Sequence, residues 1–484
     1  MGKKSIKKNY VYNLFYQLLT LITPLITTPY ISRVLGPDGV GTSSYTNSIM
    51  TYFMLVAVLG TADYGQREIA YRQDQKEESS RMFWEIFLLR SMTSFVSLLM
   101  FLMVTGFTEY RIIFMIQAIN IAAVAFDVTW FFQGMEEFGK VVFRNTLVRI
   151  LNVVIIFLFV KDHGDLPVYI ASMALTTLIG HISVWFYLPQ YLCRVSKKTI
   201  HPFRNLKGVI QLFVPQVAIQ VSAVMDKTML GMITGSTVEN GYYEQADRIE
   251  KICLTIVSSL GIVMIPRISY IYAQKDEEKL KYYLYRAYRF IWLMAIPMTV
   301  GVAMIADQFV PWFLGPGYEK AIILIRIFSV LLCIVGISSV TGVQYFIPTG
   351  KQKQFTQSVV AGMGINLVLN FLLIPRYFAM GAAIATVAGE LTVTLLQLFM
   401  AKDVFSIRKI LGLGRKYFGA AVIMALVLHI LKGHVWNNII GTVILVFIGS
   451  LTYFGCLILL KDEMMADSIR TLINRNKKGK NQTG

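Results

Sequence analysis

The chain is 484 residues long, 55% of them hydrophobic and only 15% charged, and its formal net charge is +18. Soluble domains are about a quarter charged, so this composition and a mean hydropathy of +0.57 exclude a soluble globular protein. Apolar runs of roughly 20 residues recur along the whole sequence without a period of two, which predicts an all-α polytopic membrane protein rather than a β-barrel. The four cysteines are far apart and predict no disulfide framework.

About fourteen transmembrane helices are predicted. In chain order they cover residues 10 to 35, 40 to 62, 82 to 106, 111 to 134, 141 to 160, 167 to 192, 208 to 234, 240 to 266, 286 to 307, 319 to 346, 355 to 375, 379 to 401, 416 to 432 and 437 to 460. A faint internal repeat pairs Gly41 with Gly241 and Gly60 with Gly261. It predicts two parallel six-helix lobes around a central cavity. The predicted lobes are 1–193 and 208–402, followed by two helices in 410–460 and a basic tail at 461–484.

The distribution of Lys and Arg orients these helices. An even number of helices places both termini on one side, and the termini with their alternate loops hold 33 of the 46 basic residues, against six in the opposite loops. By the positive-inside rule both termini are predicted to be cytoplasmic. The positive charge therefore needs no nucleic acid to explain it and is expected to contact anionic membrane lipids. The mixed-charge segment 63–82 is predicted to be either a cytoplasmic connector or a surface helix, with a solvated linker preferred.

Seven basic residues lie inside the predicted helices, where a charge costs at least a few kcal/mol unless it faces a partner or water. They are Arg90, Arg144, Arg149, Lys227, Arg248, Lys251 and Arg326. Together they indicate a polar cavity within the membrane. For Arg90 and Arg149 an equal alternative is that the side chain reaches back to the membrane surface, and Arg144 is near enough to a helix end to be a surface anchor.

The eighth predicted helix has a polar face. Glu244, Asp247, Arg248 and Lys251 fall on one side of it, and their spacing pairs Glu244 with Arg248 and Asp247 with Lys251. At 1.5 Å per residue, Lys251 lies about 16 Å from the outer end, near the middle of the bilayer. This pattern predicts the wall of a water-filled vestibule. The alternative is that two neutralising ion pairs only tie this helix to a neighbour.

Two acids and three prolines within the helices are further candidates for a role in transport. Asp127 and Glu390 have no adjacent basic residue, and each is predicted either to couple transport to H⁺ or Na⁺ or to be a neutral hydrogen-bonded carboxyl. Pro24, Pro29 and Pro215 interrupt the first helices of the two lobes. They are candidate hinges for a gating motion, although proline is also common in static membrane helices.

The sequence carries no motif of an enzyme. It has no HExxH, GxSxG or Walker A pattern, its histidines lie mostly at loops or helix ends, and its outer loops are too short to form a catalytic domain. We therefore predict a transporter rather than an enzyme, without a bound cofactor or metal. The driving force would be an ion gradient or downstream consumption of the substrate.

Several motifs together resemble one known family. They are RVLGPDGVG (33–41), DVTWFFQGMEEF (127–138), DKTMLG (226–231), GYYEQADRI (241–249), IPRIS (265–269) and NLVLNFLLIPRYFAMGAAIATVAGE (366–390). In their order and spacing the chain is similar to the polysaccharide flippases, the Wzx-type branch of the multidrug/oligosaccharidyl-lipid/polysaccharide exporter superfamily. The resemblance implies alternating access and an undecaprenyl-diphosphate-linked oligosaccharide as substrate, carried to the outer leaflet of the bacterial cytoplasmic membrane. A monomer that works beside other polysaccharide assembly enzymes is expected.

Such a substrate explains the charges within the helices, because a diphosphate crossing low dielectric without positive partners is very costly. The predicted diphosphate contacts are Arg33, Arg90, Arg149, Lys227, Arg248, Lys251 and Arg326. Arg33 joins the set because it closes the first helix and belongs to the RVLG motif. Three alternatives stay open: a flippase for a lipid-linked teichoic acid or peptidoglycan precursor, a MATE-like ion-coupled antiporter, and a non-transporting membrane scaffold.

Overall fold

The computed structural model describes residues 6–466, except for the side chains of residues 6–18, 21, 214, 215, 218, 260, 262 and 263. All regular secondary structure in that range is helical. Contacts divide the chain into two compact units between Gly241 and Tyr242, a point that lies within a helix. The lobes expected at 1–193 and 208–402 stay a prediction.

Among the described residues, the first unit contains eight α-helices and the start of a ninth. They are α1 Ile6–Val58, α2 Thr61–Tyr71, α3 Lys76–Thr105, α4 Arg111–Phe126, α5 Thr129–Gly134, α6 Phe138–Phe159, α7 Leu166–Trp185, α8 Leu206–Thr234 and the beginning of α9 Thr237–Ala273. The second unit contains the rest of α9, followed by α10 Glu277–Phe313, α11 Glu319–Ser329, α12 Leu331–Ser338, a π-helical segment Ser339–Phe346, α13 Gln352–Met400, α14 Ile407–Leu413, α15 Arg415–Lys432 and α16 Ile439–Leu459.

Within the described residues, ten helices are long and apolar enough to cross a membrane, or eleven if the bent pair Thr237–Ser259 and Met264–Ala273 is one span. Two of the ten, Ile22–Tyr71 and Gln352–Met400, are 50 and 49 residues long, and each takes in two predicted helices. The predicted class, an all-α polytopic membrane protein, is therefore confirmed. The count of fourteen is approximate.

Each of these two long helices is broken at one residue. In α1 the break is at Gly36, where φ is 64° and ψ is −179°, and Pro37 follows it at the start of the next helical stretch. Glycine tolerates the positive φ, and the fixed φ of proline suits the first turn of a helix. In α13 the break is at Phe378, where φ is 52°. Both breaks fall in the gaps between predicted helices, so the predicted loops are present as sharp breaks in longer helices.

The segment 63–82 is mostly helical, which is the second of its two predicted forms, and not the preferred solvated linker. Its first part belongs to α2, in which Tyr64 and Ile69 are buried, and its last part begins α3. The sequence pattern did not favour a packed helix here, because the buried residues of α2 are few and lie between charged ones. Gly65 lies so close to the Trp130 ring that a Cβ there would be 2.5 Å from Trp130 Cε3. Helix α2 is thus a packed part of the first unit.

Two backbones meet where α1 passes the start of α9. A Cβ on Gly41 would lie 1.6 Å from the carbonyl oxygen of Thr237, and a Cβ on Gly241 would lie 2.0 Å from that of Pro37. The Thr237 hydroxyl also donates a hydrogen bond to the Asp38 carboxylate. We call this contact the glycine crossing. Only residues without a side chain allow so close an approach, which accounts for glycine at the two positions that the internal repeat pairs.

Helix α10 carries the core of the second unit. The Tyr288 hydroxyl shares a 2.7 Å hydrogen bond with Thr341, and Trp292 Nε1 donates to the carbonyl of Ile410 at 2.9 Å. On α16, the Tyr453 hydroxyl donates to the carbonyl of Leu293 at 3.1 Å. These large aromatic side chains are buried with their polar atoms satisfied, so they join α10 to α14, α16 and the π-helical segment at little polar cost.

Candidate functional site

A buried ion pair lies in the first unit between α3 and the end of α4. Arg90 is only 3% exposed, and its Nη2 is 2.9 Å from Asp127 Oδ2. Its Nε donates to the carbonyl of Val124 at 3.0 Å. Asp127, which has no adjacent basic residue in the sequence, is therefore paired with a basic residue of another helix. The pair was missed because its members lie on different helices, far apart in the chain.

This ion pair belongs to a polar cap on the break between α4 and α5. His181 Nδ1 is 2.8 Å from the carbonyl oxygen of Ala123, and Trp185 Nε1 donates to the carbonyl of Phe126 at 2.7 Å. Asp127 Oδ1 accepts from the hydroxyl and the backbone N–H of Thr129, at 2.6 and 3.0 Å. In a membrane these helix-end carbonyls have no water to bind, so side chains of α3 and α7 replace it. Arg90 and Asp127 stabilise the broken helix, and a part for either in substrate binding or ion coupling stays a prediction.

The other residues of the first unit that are predicted to contact the diphosphate differ in exposure. Arg33 on α1 is exposed, whereas Arg149 on α6 and Lys227 on α8 are partly buried. The neighbouring Asp226 is buried, and the backbone carbonyl of Lys227 accepts a 2.9 Å hydrogen bond from the Asn240 amide. Their role as diphosphate contacts stays a prediction.

Both ion pairs predicted on α9 are present in the second unit. Arg248 Nη2 is 3.0 Å from Glu244 Oε1, and Lys251 Nζ is 2.8 Å from Asp247 Oδ2. The two pairs share an orientation, because the acids are the more shielded members: the Lys251 side chain is 56% exposed and that of Asp247 is 15% exposed. We call these four residues the α9 face. Its outer surface consists of cationic groups held in place by carboxylates behind them.

A third acid near the α9 face was not singled out from the sequence. Glu250 is buried on α9, and it interacts electrostatically with Asp247, Lys251 and Glu390. Glu390 lies on α13 and is partly buried, so the structure brings this predicted coupling residue close to α9. Glu250 could have been found from its position beside Lys251 in the predicted span. Glu250 lies outside the charged face of α9, so the helical spacing that identified the four face residues did not include it.

Arg326 belongs to a different cluster of the second unit. Its Nη2 lies 3.5 Å from Asp307 Oδ2, the oxygen that also accepts from Lys432 Nζ at 3.0 Å. Its Nε donates to the carbonyl of Ala303 at 3.2 Å. Arg326 thus ties α11 to α10, with α15 attached through Lys432. Its predicted contact with a diphosphate is untested.

The three candidate hinge prolines do not mark the break in α1. Pro24 and Pro29 lie inside α1 before the break at Gly36. Pro215 falls within the range of α8, and its side chain is outside those that the structure describes. A hinge role for these prolines stays a prediction.

These features define a class of protein. The chain is a helical integral membrane protein that holds charged side chains inside its spans, as transporters do. It matches the family described as "Polysaccharide biosynthesis protein" over residues 6–272, more than half of its length. The chain belongs to this family, and the resemblance predicted from its motifs is confirmed.

Individual known proteins agree with this assignment. A putative O-antigen transporter of Escherichia coli is 24% identical over 409 residues, which is 83% of this chain and 98% of that protein. The structure of the lipid II flippase MurJ in an inward closed conformation superposes with a TM-score of 0.74 at 18% identity, over 94% of this chain and 99% of that one. An inward-facing MATE-family multidrug transporter of the MOP superfamily has a TM-score of 0.62 at 16% identity, over 82% and 96%. These structures establish the fold, and the relatives are named as transporters and flippases, as expected of a protein that is not an enzyme.

Proposed function

We propose that this protein is a flippase for a lipid-linked oligosaccharide. The substrate is a repeat unit of a cell-surface polysaccharide on undecaprenyl diphosphate, which is carried from the inner to the outer leaflet of the cytoplasmic membrane by alternating access. Membership of the polysaccharide biosynthesis family supports this assignment, as does the similarity to O-antigen transporters over nearly their whole length. In this proposal both termini are cytoplasmic, as the basic residues predict.

The observation that carries the proposal is the outward orientation of the cations on the α9 face. Lys251 is exposed, and it lies in a bent helix pair that together can span the membrane, at a position predicted to be near the middle of the bilayer. A charged group exposed to lipid at that depth is very costly, so this face meets water inside the membrane. A wet, cationic surface at membrane depth is what the anionic and sugar parts of the substrate require.

The paired acids allow the substrate to bind to this surface reversibly. Glu244 and Asp247 hold Arg248 and Lys251 in position while no substrate is bound. An ammonium has three N–H donors and a guanidinium has five, so each cation can also bind a phosphate oxygen without leaving its carboxylate. When the diphosphate leaves, neither cation is left unpaired. The substrate is therefore bound by charge and released without a large penalty.

The proposal predicts that Arg248→Ala and Lys251→Ala each slow translocation at least about tenfold, since a hydrogen bond to a charged group contributes about 1.5–3 kcal/mol. The measurement is flipping of a fluorescent undecaprenyl-diphosphate oligosaccharide by purified protein in liposomes. Lys279→Ala is the matched control, because Lys279 also forms a short ion pair, at 2.6 Å from Asp276, but at the exposed start of α10. Undiminished flipping by both α9 variants would contradict a role of this face.

The same assay separates the alternatives. Faster flipping of a peptidoglycan or teichoic acid precursor would replace the proposed substrate by that one. Exchange of a small cation without flipping would indicate a MATE-like antiporter. If none of these substrates moves, the result would favour the non-transporting scaffold over the flippase.

Ion coupling is a further part of the proposal, and we assign it to Glu390. Glu390→Gln is expected to remove the acceleration of flipping by an imposed H⁺ or Na⁺ gradient while leaving the rate without a gradient largely unchanged. Its neighbour Glu250 is the matched control on α9, and Glu250→Gln is expected to weaken the response less, because Glu250 is buried. The measurement is the ratio of flipping rates with and without each gradient. A Glu390→Gln protein that still responds fully would contradict this assignment.

A further inference from the structure

The second unit contains a cavity of about 790 Å³ that none of the α9 face residues lines. It lies where the first turns of α10 meet the turn at 402–406, helix α14 and the residues just after α16. Its volume is within the range of pockets that hold small ligands. We call it the basic cavity, since five cationic and three acidic side chains line it.

Two of the five cations are already neutralised by carboxylates. Arg289 Nη1 lies 2.5 Å from Glu463 Oε2, and Lys281 Nζ lies 3.6 Å from Glu277 Oε2. The remaining three are Arg286, Lys402 and Lys409, and within residues 6–466 no carboxylate lies within 4.0 Å of any of them. The cavity therefore has an excess of positive charge with donors available to a ligand.

The walls that carry these cations are fixed by packing and hydrogen bonds. The Tyr285 hydroxyl accepts from the backbone N–H of Ser406 at 3.0 Å, and Lys409 Nζ lies 4.3 Å from the centre of the Tyr285 ring. Phe405 is buried, and its ring is 5.7 Å from that of Tyr288. The turn at 402–406 is thus anchored to α10. A preformed site binds its ligand without the cost of ordering flexible groups.

The position of the basic cavity matches the headgroup layer of a membrane. Its α10 residues extend from Glu278 to Arg289, the first turns of a helix long enough to span. The neighbouring Ile407 and Leu411 of α14 are exposed apolar residues, as expected of a helix lying at the interface. This end of the unit is the one predicted to be cytoplasmic. Basic pockets on that side of membrane proteins suit anionic headgroups.

We propose that the basic cavity binds a phosphate-bearing ligand, supplied either by an anionic lipid headgroup or by a free phosphate compound of the cytoplasm. Lys402 and Lys409 approach the phosphate from the α14 side and Arg286 from α10, while the Tyr282 and Tyr285 rings line the space beside it. Occupancy of the cavity ties α14 to the start of α10. This inference does not depend on the proposed transport function.

The test measures ligand binding by the full-length protein in detergent and compares two double variants. In Lys402→Gln/Lys409→Gln both cations are lost but the long side chains are kept. In the matched control, Arg408→Gln/Arg415→Gln, two cations are lost from the same exposed region without lining the cavity. The probes are short-chain phosphatidylglycerol with phosphatidylcholine as the neutral comparison, and glycerol 3-phosphate with inorganic phosphate as soluble compounds.

The unmodified protein is expected to bind phosphatidylglycerol or a soluble phosphate compound in preference to phosphatidylcholine. The Lys402→Gln/Lys409→Gln variant should bind it roughly 30-fold more weakly, since each cation lost weakens binding about fivefold. The control should keep its affinity within about twofold. Binding of the lipid alone identifies a headgroup site, and binding of glycerol 3-phosphate or inorganic phosphate with the same loss identifies a free phosphate site.

Three results would overturn the proposal: no preference for any phosphate probe, an unchanged affinity in the Lys402→Gln/Lys409→Gln variant, or an equal loss in both double variants. Thermal unfolding in pure phosphatidylcholine checks that the variants are folded. If the double variant is not, the single change Lys402→Gln at an exposed position replaces it, with roughly a fivefold loss expected.

Discussion

Replacing Arg90 by methionine is expected to destabilise the protein by about 3–5 kcal/mol, because it leaves the carboxylate of Asp127 without its charged partner in a largely buried site. Asp127→Asn should have a comparable effect, since it leaves Arg90 buried without a counter-charge. The double variant should lose less than the two single variants together, because it removes both charges. The measurement is the free energy or midpoint of unfolding of the protein in detergent, followed by tryptophan fluorescence.

A matched control for this cycle is the exposed pair of Lys279 with Asp276 at the start of α10. Lys279→Met removes the same kind of interaction where water can replace it, so the midpoint should not change measurably. Equal midpoints for Arg90→Met and Lys279→Met would show that the buried pair does not stabilise the fold.

Alanine at either position of the glycine crossing is expected to destabilise the first unit by about 3 kcal/mol, the upper part of the usual cost of overpacking. The cost is high because the new Cβ at Gly41 or Gly241 meets a backbone carbonyl rather than a side chain that can rotate away. The measurements are the midpoint of unfolding and the fraction of purified protein that elutes as a single species.

Gly364→Ala and Gly419→Ala provide the control for the glycine crossing. Both glycines are inside helices, and a Cβ at either would have no heavy atom within 4 Å. Alanine favours the helix more than glycine does, so these two variants should be at least as stable as the original protein. A Gly41→Ala variant as stable as these two would contradict the close approach of α1 and α9.

The sequence was a good guide wherever the relevant interactions are local. The predicted span 111–134 became α4 and α5, and the predicted span 141–160 agrees with α6 to within a few residues, because apolar length alone sets these limits. The two ion pairs of the α9 face were predicted correctly, since residues four apart on a helix are neighbours whatever surrounds them.

Interactions between helices could not be predicted from the sequence in the same way. Nothing in the local sequence pairs Arg90 with Asp127 or shows that Lys402 and Lys409 share a cavity with α10. The repeat pointed to Gly41 and Gly241, but the reason for glycine there is a backbone contact that only the fold creates. The substrate contacts remain predictions for the same reason, because a row of charges on one helix does not specify which other charges approach it.

The buried pair also bears on how the chain enters the membrane during synthesis. Arg90 belongs to α3 and Asp127 to the end of the following span, α4. An arginine at the centre of a helix raises its insertion free energy by about 2.5–3.5 kcal/mol, and the carboxylate that neutralises it emerges from the ribosome only after the whole of α4. The first species able to form this pair is therefore the α3–α4 hairpin, which makes insertion of these two helices together more favourable than insertion of α3 alone.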